Sequence, residues 1–469
     1  MYDPDIQYRC TIIRGKSQRE IDDRLSTYAK IIVDVCPCSI DNFELEFNKK
    51  LEVYISNSTK KTLDNHRTEI AGKLFGMYYQ KEDFSGSILV YPSQRTLKYV
   101  EDGDQPAFFK DVCYKMQFPN GMSKISTIQD QVKNKIKLRS CCYIIKTLMI
   151  SKKSGIKLSV DDIGYYLLNS KNVLQGYVAP DEIIERIKTD RINGIDHKVH
   201  TDGKAESYDL QHIREQLNYM ELANLIYIDD NKMVTPNVRE REAIYLFEKA
   251  YNVLEFDIYK YNLDNSDDKK QFQYDWNEYF SKLSAYSKEF ETTADALCAP
   301  EDIDTEGGLT TNTVEIGNLG EQYVYEYEKA RVRSYNKKLE NKVLSLGKIK
   351  GLGFDIQSVV AEDGPISEFP IYIEVKTTIR TTEPIFDSDS WSDSVRLTRN
   401  EWVAAQCHKE LYLIYRVYIV RGKVIITVIR NIYNKEQSKV ITIMPEIYVM
   451  DYKSNAIDKK INLEGIEIE

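Results

Sequence analysis

Between Tyr286 and Asn312 the chain loses every sustained apolar period. The stretch KEFETTADALCAPEDIDTEGGLTTN is acidic and polar, and it carries Pro300 and the Gly307-Gly308 pair. A segment of this composition reads as a linker, so the chain is not one continuous fold. Its 469 residues, 42% of them hydrophobic, suffice for two or three separate cores. Before the break the apolar residues recur mainly at helical spacing. After it come one helix, strands, a second helix and more strands. The expected units are residues 1–130, residues 131–288, a linker over 289–311, and residues 312–469.

Composition narrows the chemistry. No run of about 18 apolar residues suggests a membrane span, and the polar start from Met1 to Cys10 lacks a signal-peptide pattern. A cytoplasmic location is the expectation. The eight cysteines include no CxxC pair, and the Cys36-Pro37-Cys38 spacing is too tight for a usual zinc knuckle. Of the five histidines, only His197 and His200 are near neighbours, in a turn-like stretch, so zinc and histidine-nuclease chemistry are set aside. The net charge of −9 argues against a nucleic-acid partner, but its distribution does not. From Asp111 to Lys157 there are ten basic residues against two acidic ones, a candidate phosphate-binding face.

Local patterns in the front half are mostly helical. Residues 8–14 suit a short strand, and Gly15-Lys16-Ser17 a turn. Ser17 and Glu20 then form a capping box for a helix through Ile21, Leu25, Tyr28, Ile31, Ile32 and Val35. A second helix is expected to start near Asn65, with Ile70, Leu74 and Met77 on one face. In the second unit, helices are expected over residues 141–150, 159–168, 180–191 and 210–225. Two short strands around an Asp-Asn turn follow over residues 226–235. Helices followed by a small hairpin suggest a winged helix, a DNA-binding module.

The chemistry-bearing stretch lies behind the linker. Gly353-Phe354-Asp355 opens one β-type run, and Ile371-Tyr372-Ile373-Glu374-Val375-Lys376 forms another, with Gly364-Pro365 as the reversal between them. Alternation puts Glu374 and Lys376 on one face of their strand, and Ile371, Ile373 and Val375 on the other. If the strands pair, Asp355 and Glu374 converge beside Lys376. Two carboxylates at a strand end suit Mg²⁺, whose oxygen ligands lie at about 2.0–2.1 Å. A lysine beside them would orient an attacking water and stabilise charge on a scissile phosphate. Glu321 lies three places after Asn318, so it closes a capping box or faces the site as a further acid. Thr398 and Glu401 form another capping box, ahead of a strand over residues 411–420.

GNLGEQYV, GFDIQS, YIEVKTT, LTRNEW and LYLIYRV together resemble the PD-(D/E)XK nuclease superfamily, specifically the nuclease-like C-terminal domain of the plant NO VEIN protein. The resemblance covers about residues 312–425 and implies Asp355 and Glu374 as Mg²⁺ ligands, Lys376 as catalytic lysine and Glu321 as accessory acid. The usual Pro-Asp of the first motif is Phe354-Asp355 here. The front resembles the recognition region of BpuJI-like type IIS restriction endonucleases, through YRCTIIRGKSQREIDD, NHRTEIAGKLFGMYY and DQPAFFKDVCYKMQFPNG. It implies helix-rich α+β, winged-helix-like recognition domains ahead of an α/β nuclease domain. Double-stranded DNA is then the partner, contacted by Arg14, Lys16, Ser17, Gln18, Lys60, Lys61, Asn65, His66 and Arg67. Arg14, Asn65 and Arg67 are the expected base readers, since Arg reads guanine and Asn adenine. A homodimer for double-strand cleavage and a protective DNA methyltransferase complete the expected partners. The rival expectations are a structure-selective or modification-dependent nuclease, and a non-catalytic DNA-binding regulator.

Overall fold

The computed structural model describes residues 3, 5–10, 18–55, 58–83, 86–197, 199, 206–281, 287–293, 295–297, 316–347, 349, 351–387, 391–443 and 448–463. In the front half, helices Gln18–Val35, Ile40–Glu52, Gln105–Lys115, Ser140–Lys153, Glu206–Leu222 and Arg241–Ala250 surround one core. Phe75, Phe108, Phe109 and Tyr219 meet there edge-on and stacked. A three-stranded sheet with Ile88–Pro92 between Cys38–Ser39 and Tyr78–Glu82 closes one side. The expected hairpin forms as Ile226–Ile228 against Met233–Pro236, and Leu158–Ser159 adds a third strand. The strand expected over residues 8–14 does not form at Tyr8, Arg9 and Cys10, and its remainder lies outside the described residues.

Part of the expected linker is anchored rather than loose. Phe290 is 2% exposed and packs edge-on against Tyr114 and Phe247. The buried Lys110 ammonium donates to the Phe290 carbonyl at 3.0 Å and to Thr292 Oγ1 at 3.1 Å. Asn224 and Asn237 both donate to the Ala296 carbonyl. Leu297 belongs to the core of the rear half. These anchors are isolated residues, too few to create a period.

The rear half is built on a six-stranded sheet. Its order is Lys459–Leu463, Lys423–Arg430, Tyr412–Val420, Pro370–Arg380, Ile356–Val359, Leu344–Ser345. Pro370–Arg380 and Tyr412–Val420 run parallel, and the other neighbours are antiparallel. A parallel pair needs a crossover, and this one contains Asp393–Leu397 and the helix Arg399–His408. Helix Ile316–Tyr335 covers one face of the sheet through Val324 and Val332. Helix Arg399–His408 and a second three-stranded sheet cover the other. Among the described residues no helix is long and apolar enough to cross a membrane.

Candidate nuclease-like centre

The strand Pro370–Arg380 places the site. Ile371, Ile373 and Val375 point into the core under helix Ile316–Tyr335, at 6%, 0% and 8% exposure. Glu374 and Lys376 take the opposite face, beneath the N-terminus of helix Arg399–His408. That face is covered, so Glu374 is only 3% exposed. Asp355 immediately precedes Ile356–Val359. Its N–H donates to the Ile373 carbonyl at 2.9 Å, and its Oδ2 accepts from the Val375 N–H at 2.8 Å. Backbone and side chain of Asp355 therefore bracket Glu374, which fixes the two carboxylates relative to each other.

Lys376 Nζ lies 2.6 Å from Glu374 Oε1 and 2.9 Å from Glu401 Oε2. Glu401 is held by the expected capping box: its N–H donates to Thr398 Oγ1, and Oε2 accepts from the Thr398 N–H at 2.9 Å. Helix Ile316–Tyr335 is already under way two residues before Asn318, so Asn318 is not its cap and Glu321 closes no capping box there. Glu321 instead reaches the site. The point a Cβ on Gly347 would occupy lies 2.5 Å from Glu321 Oε2 and 3.3 Å from Asp355 Oδ1. The helix approaches closely because Gly320 has no side chain: a Cβ there would lie 1.8 Å from Thr377 Oγ1.

Burial raises the proton affinity of Asp355, partly offset by the Val375 N–H and Lys376. It raises that of Glu374 much further, with Asp355 and Glu401 adding repulsion against the attraction of Lys376. Burial pulls Lys376 the other way, but Glu374 and Glu401 outweigh it and hold the ammonium above the ordinary lysine range. The centre is thus a crowded set of carboxylates with one ammonium among them. Among the described residues no three His, Cys, Asp or Glu side chains stand ready as a metal cage. Asp355 and Glu374 are nevertheless hard oxygen donors whose mutual repulsion a divalent cation would relieve, which is the donor set Mg²⁺ takes.

The same strand continues into the front half. Thr378 Oγ1 donates to the Gly103 carbonyl at 3.1 Å, and Arg380 pairs with Asp22 at 3.2 Å and Asp23 at 2.5 Å. Beside these contacts a cavity of about 240 Å³ is lined by Lys376 and Thr377 from the rear and by Lys30, Asp34 and Gly103 from the front.

The four rear residues singled out in the sequence come together; the front ones that are described form no comparable cluster. Arg14, Lys16 and Ser17 lie outside the described residues. Gln18 is half-buried, with Nε2 3.5 Å from Glu221 Oε2. Lys60, Lys61 and Asn65 are exposed on the helix Lys60–Asn65. His66 and Arg67 are a correction: they are 0% and 5% exposed. The helix starts at Lys60, capped by Thr59, so the chain is already winding when it reaches His66 and turns these two inward. His66 Nδ1 meets the Tyr28 hydroxyl, and Arg67 is held by Asp64 at 2.9 Å, Glu44 at 3.1 Å and Asn48 at 2.9 Å. The basic stretch is also partly internal, with Lys115, Arg139 and Lys146 paired to Asp111, Glu255 and Glu248. Glu401 is the residue that sequence reasoning placed only as a cap, because its Thr-x-x-Glu spacing already had a sufficient explanation.

Comparison with known proteins follows the division into halves. The family described as "Restriction endonuclease BpuJI - N terminal" matches residues 2–277, and "Protein NO VEIN, C-terminal" matches residues 320–429. Among solved structures, the chain resembles the BpuJ1 endonuclease binding domain crystallised with pyrene- and phenanthrene-modified DNA. The TM-score is 0.56 at 51% identity, covering 60% of this chain and 100% of that one. No curated protein matches. With its matched region spanning more than half of the 469 residues, the chain belongs to the family of the BpuJI restriction endonuclease N-terminal region.

Proposed function

We propose that this protein is a Mg²⁺-dependent restriction endonuclease of type IIS character. The front half would bind a short duplex sequence and the rear half would hydrolyse a phosphodiester bond beside it. The observation that carries the reading is the convergence of Asp355, just ahead of one strand, with Glu374 and Lys376 on its neighbour, behind a front half whose relative is a DNA-bound domain. The mixed sheet and this trio support a PD-(D/E)XK assignment, and the helices beside the hairpin Ile226–Ile228/Met233–Pro236 support a winged-helix one.

Asp355 and Glu374 would hold Mg²⁺, which when bound supplies Lewis acidity toward the phosphate and a more acidic water. Glu321, beside Asp355, would accept a hydrogen bond from the attacking water. Lys376 would orient the nucleophile and offset negative charge on the phosphorane oxygens. Among the described front residues, Lys60, Lys61 and Asn65 on their short helix and Gln18 at the start of another would contact the duplex. One such centre cuts one strand, so a double-strand break calls for a second copy, paired on DNA. A protective methyltransferase would be the genetic partner, and the cytoplasm the place of action.

Incubation with Mg²⁺, mixed-sequence plasmid, the same plasmid carrying modified bases, and branched DNA tests the reading. Discrete plasmid fragments are expected. Preference for the branched substrate would make the protein a resolvase, cutting confined to modified DNA a modification-dependent nuclease, and binding without cutting a regulator.

A further inference from the structure

We infer that Glu401 is a positioning residue for the proposed hydrolysis, holding the Lys376 ammonium in the site from a second element of the fold. This rests on the nuclease reading. Glu374 and Lys376 are neighbours on one strand face, and a lysine is a point charge on a flexible four-carbon stem. A partner on the same strand therefore leaves the direction of the amine weakly determined. Glu401 approaches from helix Arg399–His408, so Nζ is held between two elements, 2.6 Å from Glu374 and 2.9 Å from Glu401.

Glu401 is itself fixed. Its Oε2 takes both the Thr398 N–H and the Lys376 ammonium, and its carboxylate sits at the helix N-terminus, where negative charge is favoured. The arrangement matters most when Glu374 is engaged elsewhere. A Glu374 that turns to a cation gives up its hold on Lys376, and Glu401 is then the carboxylate that keeps the amine from swinging toward the adjoining cavity. The bland reading is that Glu401 only caps its helix. The two readings differ in what Glu401→Gln does, because glutamine keeps an oxygen for the Thr398 N–H but loses the charge that holds the ammonium.

Single-turnover cleavage of plasmid and duplex binding, both with the full chain, separate them. Glu401→Gln is expected to slow cleavage by about tenfold to a hundredfold, the effect of a misplaced group of this kind. The Kd for duplex DNA should move by less than about twofold, since base and phosphate contacts lie elsewhere. Thr398→Ala removes the hydroxyl cap but keeps the carboxylate, and should slow cleavage by less than about threefold if the charge is what matters. In parallel, unfolding of Lys376→Ala, Glu401→Gln and the double variant should be non-additive, as expected for partners in contact. Full-speed cleavage by Glu401→Gln, or equal slowing by Thr398→Ala, would overturn the inference while leaving the nuclease reading intact. Additive unfolding would also overturn it. Absence of cleavage by the unaltered protein would instead remove the nuclease reading, and the positioning role with it.

Discussion

Replacing Arg380 by alanine should destabilise the junction between the two halves in a pH-dependent way. Asp22, on the helix Gln18–Val35, has a side chain at 0% exposure, and Arg380 at 9% is its cationic partner. Burial raises the Asp22 carboxyl from 3.8 to about 6, with Arg380 opposing the rise. An acid whose folded pKa is raised contributes stability that is complete below the unfolded value and is lost as pH climbs through the folded one. Here that window runs from about pH 4 to pH 6, and a shift of this size corresponds to about 3 kcal/mol. In Arg380→Ala the carboxyl loses its nearest positive charge and should rise by a further one to three units or so. At pH 8 the unaltered protein holds Asp22 ionised beside Arg380, whereas the variant must either ionise it without a partner or keep it protonated, costing about 3–5 kcal/mol with the lost packing included. At pH 5 Asp22 is protonated with or without the arginine, so the loss should be smaller by about 1.5–3 kcal/mol. Urea unfolding followed by circular dichroism at both pH values measures the difference. An equal loss at pH 5 and pH 8 would refute the argument, because the cost would then come from lost packing rather than from the stranded carboxylate.

Other perturbations follow from the same geometry. Gly320→Ala drives a methyl into Thr377, whose Oγ1 would be 1.8 Å and Cβ 2.9 Å away. It should cost about 1–3 kcal/mol, visible as a lower melting temperature, and Thr377→Ala should recover part of it. Simple addition of the two losses would contradict the contact. Phe290→Ala removes the aromatic anchor of the connecting segment at a 2% exposed position, for a loss of about 3–5 kcal/mol. It should also make residues 287–297 more susceptible to limited proteolysis, and an unchanged digestion pattern would show that the anchor is dispensable.

Much of this fold is written in local pattern. The helix Gln18–Val35, the hairpin after residue 225, the capped helix at Thr398 and the strand bearing Glu374 all follow from spacing and turn chemistry, and each is found. The trio Asp355, Glu374 and Lys376 was legible for the same reason: alternation along one strand and a reversal before it determine which side chains share a face. What the sequence hid were choices made by packing. Whether His66 and Arg67 face in or out depends on the phase of a helix that starts earlier, at Lys60, and on acids at Glu44 and Asp64 that accept the guanidinium. Phe290, Ala296 and Leu297 look like stray apolar residues in a polar tract, and only the partners waiting for them make them anchors. Glu401 carries two hydrogen-bonding duties at one oxygen, and the local one conceals the distant one.

In the proposed mechanism Asp355, Glu374 and Lys376 form a hydrolytic centre separable from the surface that binds duplex DNA. The direct measurement is the rate of Mg²⁺-dependent plasmid cleavage by Lys376→Ala and Glu374→Gln, alongside their Kd for the cleaved duplex. Cleavage should vanish in both variants while binding stays within about tenfold of the unaltered protein, since phosphate and base contacts are proposed to lie in the other half. Variants that still cut, or that lose binding together with cutting, would contradict the account.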